Sequence, residues 1–150
     1  MVETPYLVRR ANAHDIPRMS ELASDNLREQ YSLEFFKAII DAWPDGCLVI
    51  EHEEIMLAFI TGALMKGSTA RILMLTVDTA YRRKHLGSML LKQFIHNALR
   101  ASNYRVTLEV RLSNKEAQRF YESHGFMKLT IIDNYYNDGE AGYRMDRTIV

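Results

Sequence analysis

Three groups of side chains in this 150-residue sequence could do chemistry. The first is the run Val77-Asp78-Thr79-Ala80-Tyr81-Arg82-Arg83-Lys84-His85-Leu86-Gly87-Ser88, which sets consecutive cations and a glycine just ahead of a long apolar-periodic stretch. At the start of a helix such a turn presents outward backbone N–H groups, the positive end of the helix dipole and side-chain charge to one anion. By itself, a basic turn is a solvated surface as often as a phosphate site. The second group is Glu109, within Leu108-Glu109-Val110-Arg111. A positioned carboxylate can take up a proton, although its alternation with Leu108 and Val110 reads more simply as the solvated face of a strand. The third is Tyr121, in Phe120-Tyr121-Glu122-Ser123-His124-Gly125-Phe126. Its phenol could donate a proton, or merely bury its ring and find a partner for the hydroxyl.

Other chemistries lack residues. Cys47 is the only cysteine and lies in the apolar run Cys47-Leu48-Val49-Ile50, so a buried core thiol is expected, with no disulfide and no CxxC site. The histidines at 14, 52, 85, 96 and 124 show neither HxxxH nor HExxH spacing, so no metal is expected. Lys plus Arg number 19 and Asp plus Glu number 19, which leaves no bulk basic field for a nucleic acid. The longest apolar runs, such as Ile55 to Ile60, fall far short of the ~20 residues a membrane span needs. The N-terminal Met-Val-Glu-Thr-Pro carries no export signal, so the cytoplasm is the expected location.

The elements that must position these groups follow from periodicity. The length and a 47% hydrophobic, 25% charged composition fit one globular domain over residues 1–150. A short strand is expected at Tyr6 to Arg9. Asp15 then precedes Ile16-Pro17 as an N-cap, and Ile16, Met19, Leu22 and Ala23 keep helical spacing. A second helix carries Phe35, Phe36, Ile39, Ile40 and Trp43 on one core-facing side and stops at Pro44-Asp45-Gly46. Cys47 to His52 and Ile55 to Lys66 read as a hairpin around Glu53-Glu54, followed by a strand at Arg71 to Val77. A long helix runs from about Gly87 to Ala101, with Leu86, Leu90, Leu91, Phe94, Ala98 and Leu99 in its apolar stripe. Val106 to Arg111 is a strand, Asn114 caps a helix over Lys115 to His124, and Gly125 ends it. Phe126 to Ile132 and Ala141 to Thr148 complete the sheet. The order predicts a mixed α/β domain whose fourth and fifth strands are parallel neighbours with a ligand crevice beyond their carboxyl ends.

Four blocks carry a resemblance. Arg82, His85 and Gly87 occupy the defining positions of the Gln/Arg-x-x-Gly-x-Gly/Ala pyrophosphate loop of the GNAT N-acetyltransferases, with His85 where the pattern has glycine. Leu108-Glu109-Val110-Arg111-Leu112-Ser113-Asn114, then Phe120-Tyr121 and Gly125-Phe126, is similar to the signature of the protein N-terminal acetyltransferases, including the RimI type. Tyr135-Tyr136-Asn137-Asp138-Gly139-Glu140, with Tyr143 and Met145, resembles their Tyr-Tyr-x-Asp-Gly-Glu-Asp-Ala-Tyr-x-Met ending, with Gly142 in place of Ala. Leu27-Arg28-Glu29-Gln30-Tyr31 more weakly resembles the Leu-Pro-Glu-Asn-Tyr loop of the catalytic subunits that acetylate Ser, Ala and similar termini.

The resemblance implies the GNAT fold: a mixed sheet of about seven strands with about four helices, splayed between the fourth and fifth strands to admit acetyl-CoA. It implies that Leu75, Thr76 and Val77 offer backbone groups to the cosubstrate, that Arg82, Arg83, Lys84, His85, Leu86, Gly87 and Ser88 hold its pyrophosphate, and that Asn114 and Tyr121 contact its arm. In the same terms Glu109 is the general base with Glu29 as rival, Tyr121 is the acid for the leaving thiolate, and Glu29, Tyr31, Tyr135 and Tyr136 wall a groove for a protein or peptide N-terminus. A ribosome or an auxiliary subunit enters as a further partner. Two alternatives stay open at this point: acetylation of a small amine or lysine side chain, and a non-catalytic acyl-CoA-binding module.

Overall fold

The computed structural model describes residues 5–82 and 84–150; Arg83 of the basic turn lies outside the described residues. The chain runs β1 (Leu7–Arg10), α1 (Ile16–Asn26), α2 (Leu33–Ala42), β2 (Leu48–His52), β3 (Ile55–Met65), β4 (Thr69–Val77), α3 (Leu86–Arg100), β5 (Arg105–Arg111), α4 (Lys115–Ser123), β6 (Met127–Ile132) and β7 (Gly142–Thr148). The strands form one seven-stranded sheet in the order β1-β2-β3-β4-β5-β7-β6. Among the described residues only β4 and β5 are parallel, because α3 must cross between them whereas the other neighbours are antiparallel. The expected mixed sheet with four helices is therefore present.

Two cores lie on opposite faces of the sheet. Leu86, Leu90, Leu91, Phe94 and Ala98 of α3 meet Ile60, Ile72 and Leu108 on one face. Met19, Leu22, Phe36 and Ile40 of α1 and α2 meet Phe59 and Met74 on the other. Phe94 is fully buried, so cutting it to alanine would cost about 3–5 kcal/mol in lost burial and cavity formation. The Cys47 thiol is fully buried in the second core, where burial pushes its pKa up to about 11.

Local corrections have physical causes. Asp15 holds the N-cap position of α1 as expected but makes no side-chain cap hydrogen bond: its carboxylate accepts from both Nη atoms of Arg9 at 2.8 Å and from the Asn12 N–H at 2.8 Å, closing a 3-10 turn ahead of the helix. Phe35 does not join the core; it is 37% exposed because α2 buries only the side carrying Phe36, Ile39 and Ile40. Leu99, expected in the stripe of α3, is likewise exposed. Gly125 follows α4 at φ 85°, the left-handed geometry that glycine adopts without a Cβ penalty.

Candidate functional site

The site begins with an irregularity in β4. Thr61 pairs with Met74 and the next residue, Gly62, pairs with Ile72, so Leu73 is an extra residue in β4. Such a bulge bends the strand and reverses which side chains face which layer. Ile72 packs with the α3 core, whereas Met74 packs with α1 and α2. On the opposite edge β4 pairs with β5 only over Thr69–Arg71 and Arg105–Thr107. Beyond that point the strands part, and the β5-facing backbone groups of β4 have no ladder partner among the described residues.

A cavity of about 540 Å³ opens beside the parted strands, between α3 and α4. Leu75, Thr76 and Val77 form its floor, while Arg82, His85, Leu86, Gly87 and Ser88 form one end and Asn114 and Tyr121 the other side. His85 stands just before α3 with φ 61°, the left-handed conformation that the basic turn requires and that glycine would enter at lower cost. Arg82 donates to the Asn26 side chain at 2.7 Å, which ties the turn to the end of α1. Asn114 caps α4 by accepting the Ala117 N–H at 3.1 Å while also lining the cavity. Burial holds the Tyr121 hydroxyl well above the ordinary phenol range, so it stays protonated at neutral pH.

A second cavity of about 490 Å³ lies on the α1–α2 face. Glu29, Tyr31, Glu109, Tyr135 and Tyr136 all line it, together with Arg71. Strand alternation puts Thr107, Glu109 and Arg111 on one face of β5, each half-buried between the buried Val106, Leu108 and Val110. The Glu109 carboxylate, only 7% exposed, accepts Arg71 Nε at 3.0 Å and the Arg144 guanidinium at 3.2 Å. Arg71 also donates to the Tyr135 hydroxyl at 2.7 Å. Tyr31 stacks on Phe35 at 5.3 Å between centroids, so the ring that left the core forms part of this wall.

Arg111 ties the groove together. Its guanidinium lies 4.1 Å over the Tyr136 ring, pairs with Glu29 from the α1–α2 loop, and reaches Asp138 at 2.9 Å and Glu140 at 2.8 Å in the β6–β7 connection. Glu140 also accepts the Ser113 N–H at 2.8 Å. That bond and Arg111 hold its carboxyl down at about 2. Gly142 serves the same corner: a Cβ there would sit 3.1 Å from the Tyr136 ring and 3.3 Å from the Val110 carbonyl oxygen, so the alanine of the related ending would crowd it.

The residues expected from sequence thus divide between two cavities on successive stretches of β4, Tyr121 and the loop residues in one, Glu109, Glu29 and the tyrosines in the other. Lys84 is exposed and lines neither. Sequence reasoning missed Asn26 and Phe120 in the first cavity and Arg71, Phe35 and Asn137 in the second. Arg71 had a legible signal, since it opens the expected fourth strand on the face opposite Ile72; the bulge that directs this face to the groove had none. Among the described residues no group of three His, Cys, Asp or Glu side chains could hold a metal ion, and no helix is long and apolar enough to cross a membrane.

Comparison with known proteins matches the acetyltransferase (GNAT) family model to residues 16–126. N-alpha-acetyltransferase 30 of Homo sapiens is 31% identical over 142 residues, 92% of this chain and 39% of that protein. The chain therefore spans about two fifths of that relative's length. The crystal structure of Ard1 from Thermoplasma volcanium superposes with a TM-score of 0.94 at 31% identity, covering 97% of this chain and 98% of the other. The ribosomal-protein-S18-alanine N-acetyltransferase from Escherichia coli superposes with a TM-score of 0.83 at 26% identity, covering 97% and 94%.

Proposed function

The chain belongs to the GNAT acetyltransferase family, and from that premise we propose that it transfers the acetyl group of acetyl-CoA to the free α-amino group of protein N-termini. The observation that carries the reading is the pair of cavities along successive stretches of β4 where it leaves β5: one, at Leu75–Val77, suits an extended thioester with an anionic head, the other, at Arg71–Leu73, a peptide end. Helix-terminal N–H groups and Arg82 would face the pyrophosphate, and the apolar floor at Leu75 and Val77 the pantetheine arm.

In the reaction a neutral amine attacks the thioester carbonyl, a tetrahedral oxyanion forms, and the C–S bond breaks to release CoA thiolate. Unpaired N–H groups of β4 would stabilise the oxyanion, and such donors are worth most in a site shielded from water. Glu109 is assigned the proton leaving the amine, with Glu29 as second choice because the Leu27–Tyr31 loop that carries it resembles the family pattern more weakly. Tyr121, neutral and at the cavity wall, is assigned the proton that the thiolate takes up.

An α-amine substrate agrees with this machinery. Its pKa lies near 7.7–8.0 against about 10.4 for lysine, so freeing a lysine amine costs roughly 3–4 kcal/mol more at equal pH. The Arg71–Tyr135 and Arg111–Asp138 bridges join β4 and β5 to the β6–β7 connection beside the groove, an arrangement that on this reading favours a chain end over an internal side chain. Cytoplasmic action on protein N-termini, delivered by a ribosome or an auxiliary subunit, completes the proposal. The test is thiol release from acetyl-CoA with short free-terminus peptides beginning Ser, Ala, Met-Leu and Met-Glu, against N-blocked peptides containing lysine, with product masses read in parallel. Acetylation of free termini alone is expected; modification of only the blocked lysine peptides would refute the assignment.

A further inference from the structure

Resting on the N-terminal acetyltransfer reading, we propose that Arg71 sets substrate selectivity by taking the carboxylate of an acidic second residue in the incoming chain. Arg71 is the last β4 residue paired with β5, so it stands at the closed end of the wedge where the strands part. Its side chain is 29% exposed and lines the groove. Nε is committed to Glu109, and one Nη to the Tyr135 hydroxyl. Among the described residues the other Nη makes no hydrogen bond or ion pair, which leaves part of a guanidinium fork open to the groove. Such a fork matches a carboxylate in geometry as well as charge.

The neighbouring carboxylates do not cancel this site. Glu109 is shared between Arg71 and Arg144, while Glu29, Asp138 and Glu140 are shared by Arg111, with Arg28 also on the last two. The four guanidiniums thus balance the four carboxylates, and the uncommitted Nη of Arg71 faces no net negative charge. Spacing selects the position. An amine attacking a thioester laid on Leu75–Val77 is two to four β4 residues from Arg71, roughly 6–12 Å once the bulge at Leu73 is allowed for. The first side chain starts too near the amine to span that gap comfortably, whereas the second residue's carboxylate reaches it in an extended peptide. The apolar first side chain then falls among Leu73, Phe35 and the tyrosines.

The experiment compares kcat/KM for three peptides identical except for Glu, Gln or Lys after an initial Met. Glu is expected to exceed Gln by about tenfold or more, the gain of a charge-assisted hydrogen bond, carried mainly by KM, with Lys below both. Arg71→Gln should bring the Glu/Gln ratio close to one, and Arg71→Glu should move the preference to Lys. Because these variants also remove a partner of Glu109, the ratio is measured independently in the unmutated protein between about 50 mM and about 500 mM salt, and it should narrow as screening grows. Equal rates on all three peptides overturn the inference and leave the acetyltransfer reading intact. Acetylation of none of them overturns the inference, and the acetyltransfer reading falls with it only when the Ser, Ala and Met-Leu peptides are also left unmodified.

Discussion

Arg71 and Glu109 are ion-paired at 3.0 Å across the point where β4 and β5 separate, and Arg144 holds the other Glu109 oxygen from β7. A carboxylate assigned to proton transfer is thus oriented by two guanidiniums and is almost inaccessible to bulk water. Orientation of this kind places the base before the substrate arrives.

Glu109→Gln should lower kcat by about 10²- to 10⁴-fold, the usual range for a lost general base. The acetyl-CoA Kd should stay within about twofold, since the residue lines the groove and not the cosubstrate cavity. Steady-state kinetics and calorimetric titration read the two effects separately. An undiminished kcat would move the role to Glu29.

Tyr121→Phe tests the proton donor. The ring packs against Phe120 and Phe126 at 5.1 and 5.4 Å between centroids, so removing only the hydroxyl should shift Tm by no more than a few degrees while kcat falls about 10²-fold or more. Because burial raises the folded pKa, the tyrosine's contribution to stability is intact below its unfolded value, about 10, and is lost only as pH rises beyond it. The unmutated enzyme should accordingly show no alkaline limb from Tyr121 below about pH 10. A limb near pH 8 that disappears in Tyr121→Phe would contradict the assignment.

Glu140 makes the β6–β7 connection sensitive to acid. Its pKa falls from 4.5 to about 2 through the Ser113 N–H and Arg111. A depressed carboxylate contributes stability above its unfolded value and loses it as pH drops through the folded one. Protection factors of the amides of residues 134–141, taken relative to intrinsic exchange at each pH, should therefore fall between pH 4.5 and 2, before the α3 core responds. In Glu140→Gln the loop should exchange faster at neutral pH and show less change across that window.

His85→Gly addresses the turn before α3. Relief of a left-handed non-glycine residue is worth about 1 kcal/mol, so Tm should rise by about 2–4 °C for a chain of this size. The backbone N–H that would face the cosubstrate is retained, and acetyl-CoA affinity should hold or improve. A marked loss of affinity would show that the imidazole itself contacts the phosphate.

Much was legible in the sequence because it depends on local periodicity. Alternation in Leu108-Glu109-Val110-Arg111 and the stripe of Leu90, Leu91 and Phe94 specify which face each side chain takes, and every strand and helix appears where expected apart from shifts at the ends. The basic turn and Asn114 are short-range signals, since an anion cradle and a helix cap are built by neighbours in the chain. What the sequence did not determine comes from contacts across long separations. The extra residue at Leu73 arises from pairing with Thr61 and Gly62, and no local pattern announces it. Arg71 and Glu109 are 38 residues apart and Arg111 and Glu29 are 82 apart. Only the closing of the sheet around the bulge brings them to one groove, because a side chain's face follows from its own strand whereas its partner is chosen by the packing of all the others.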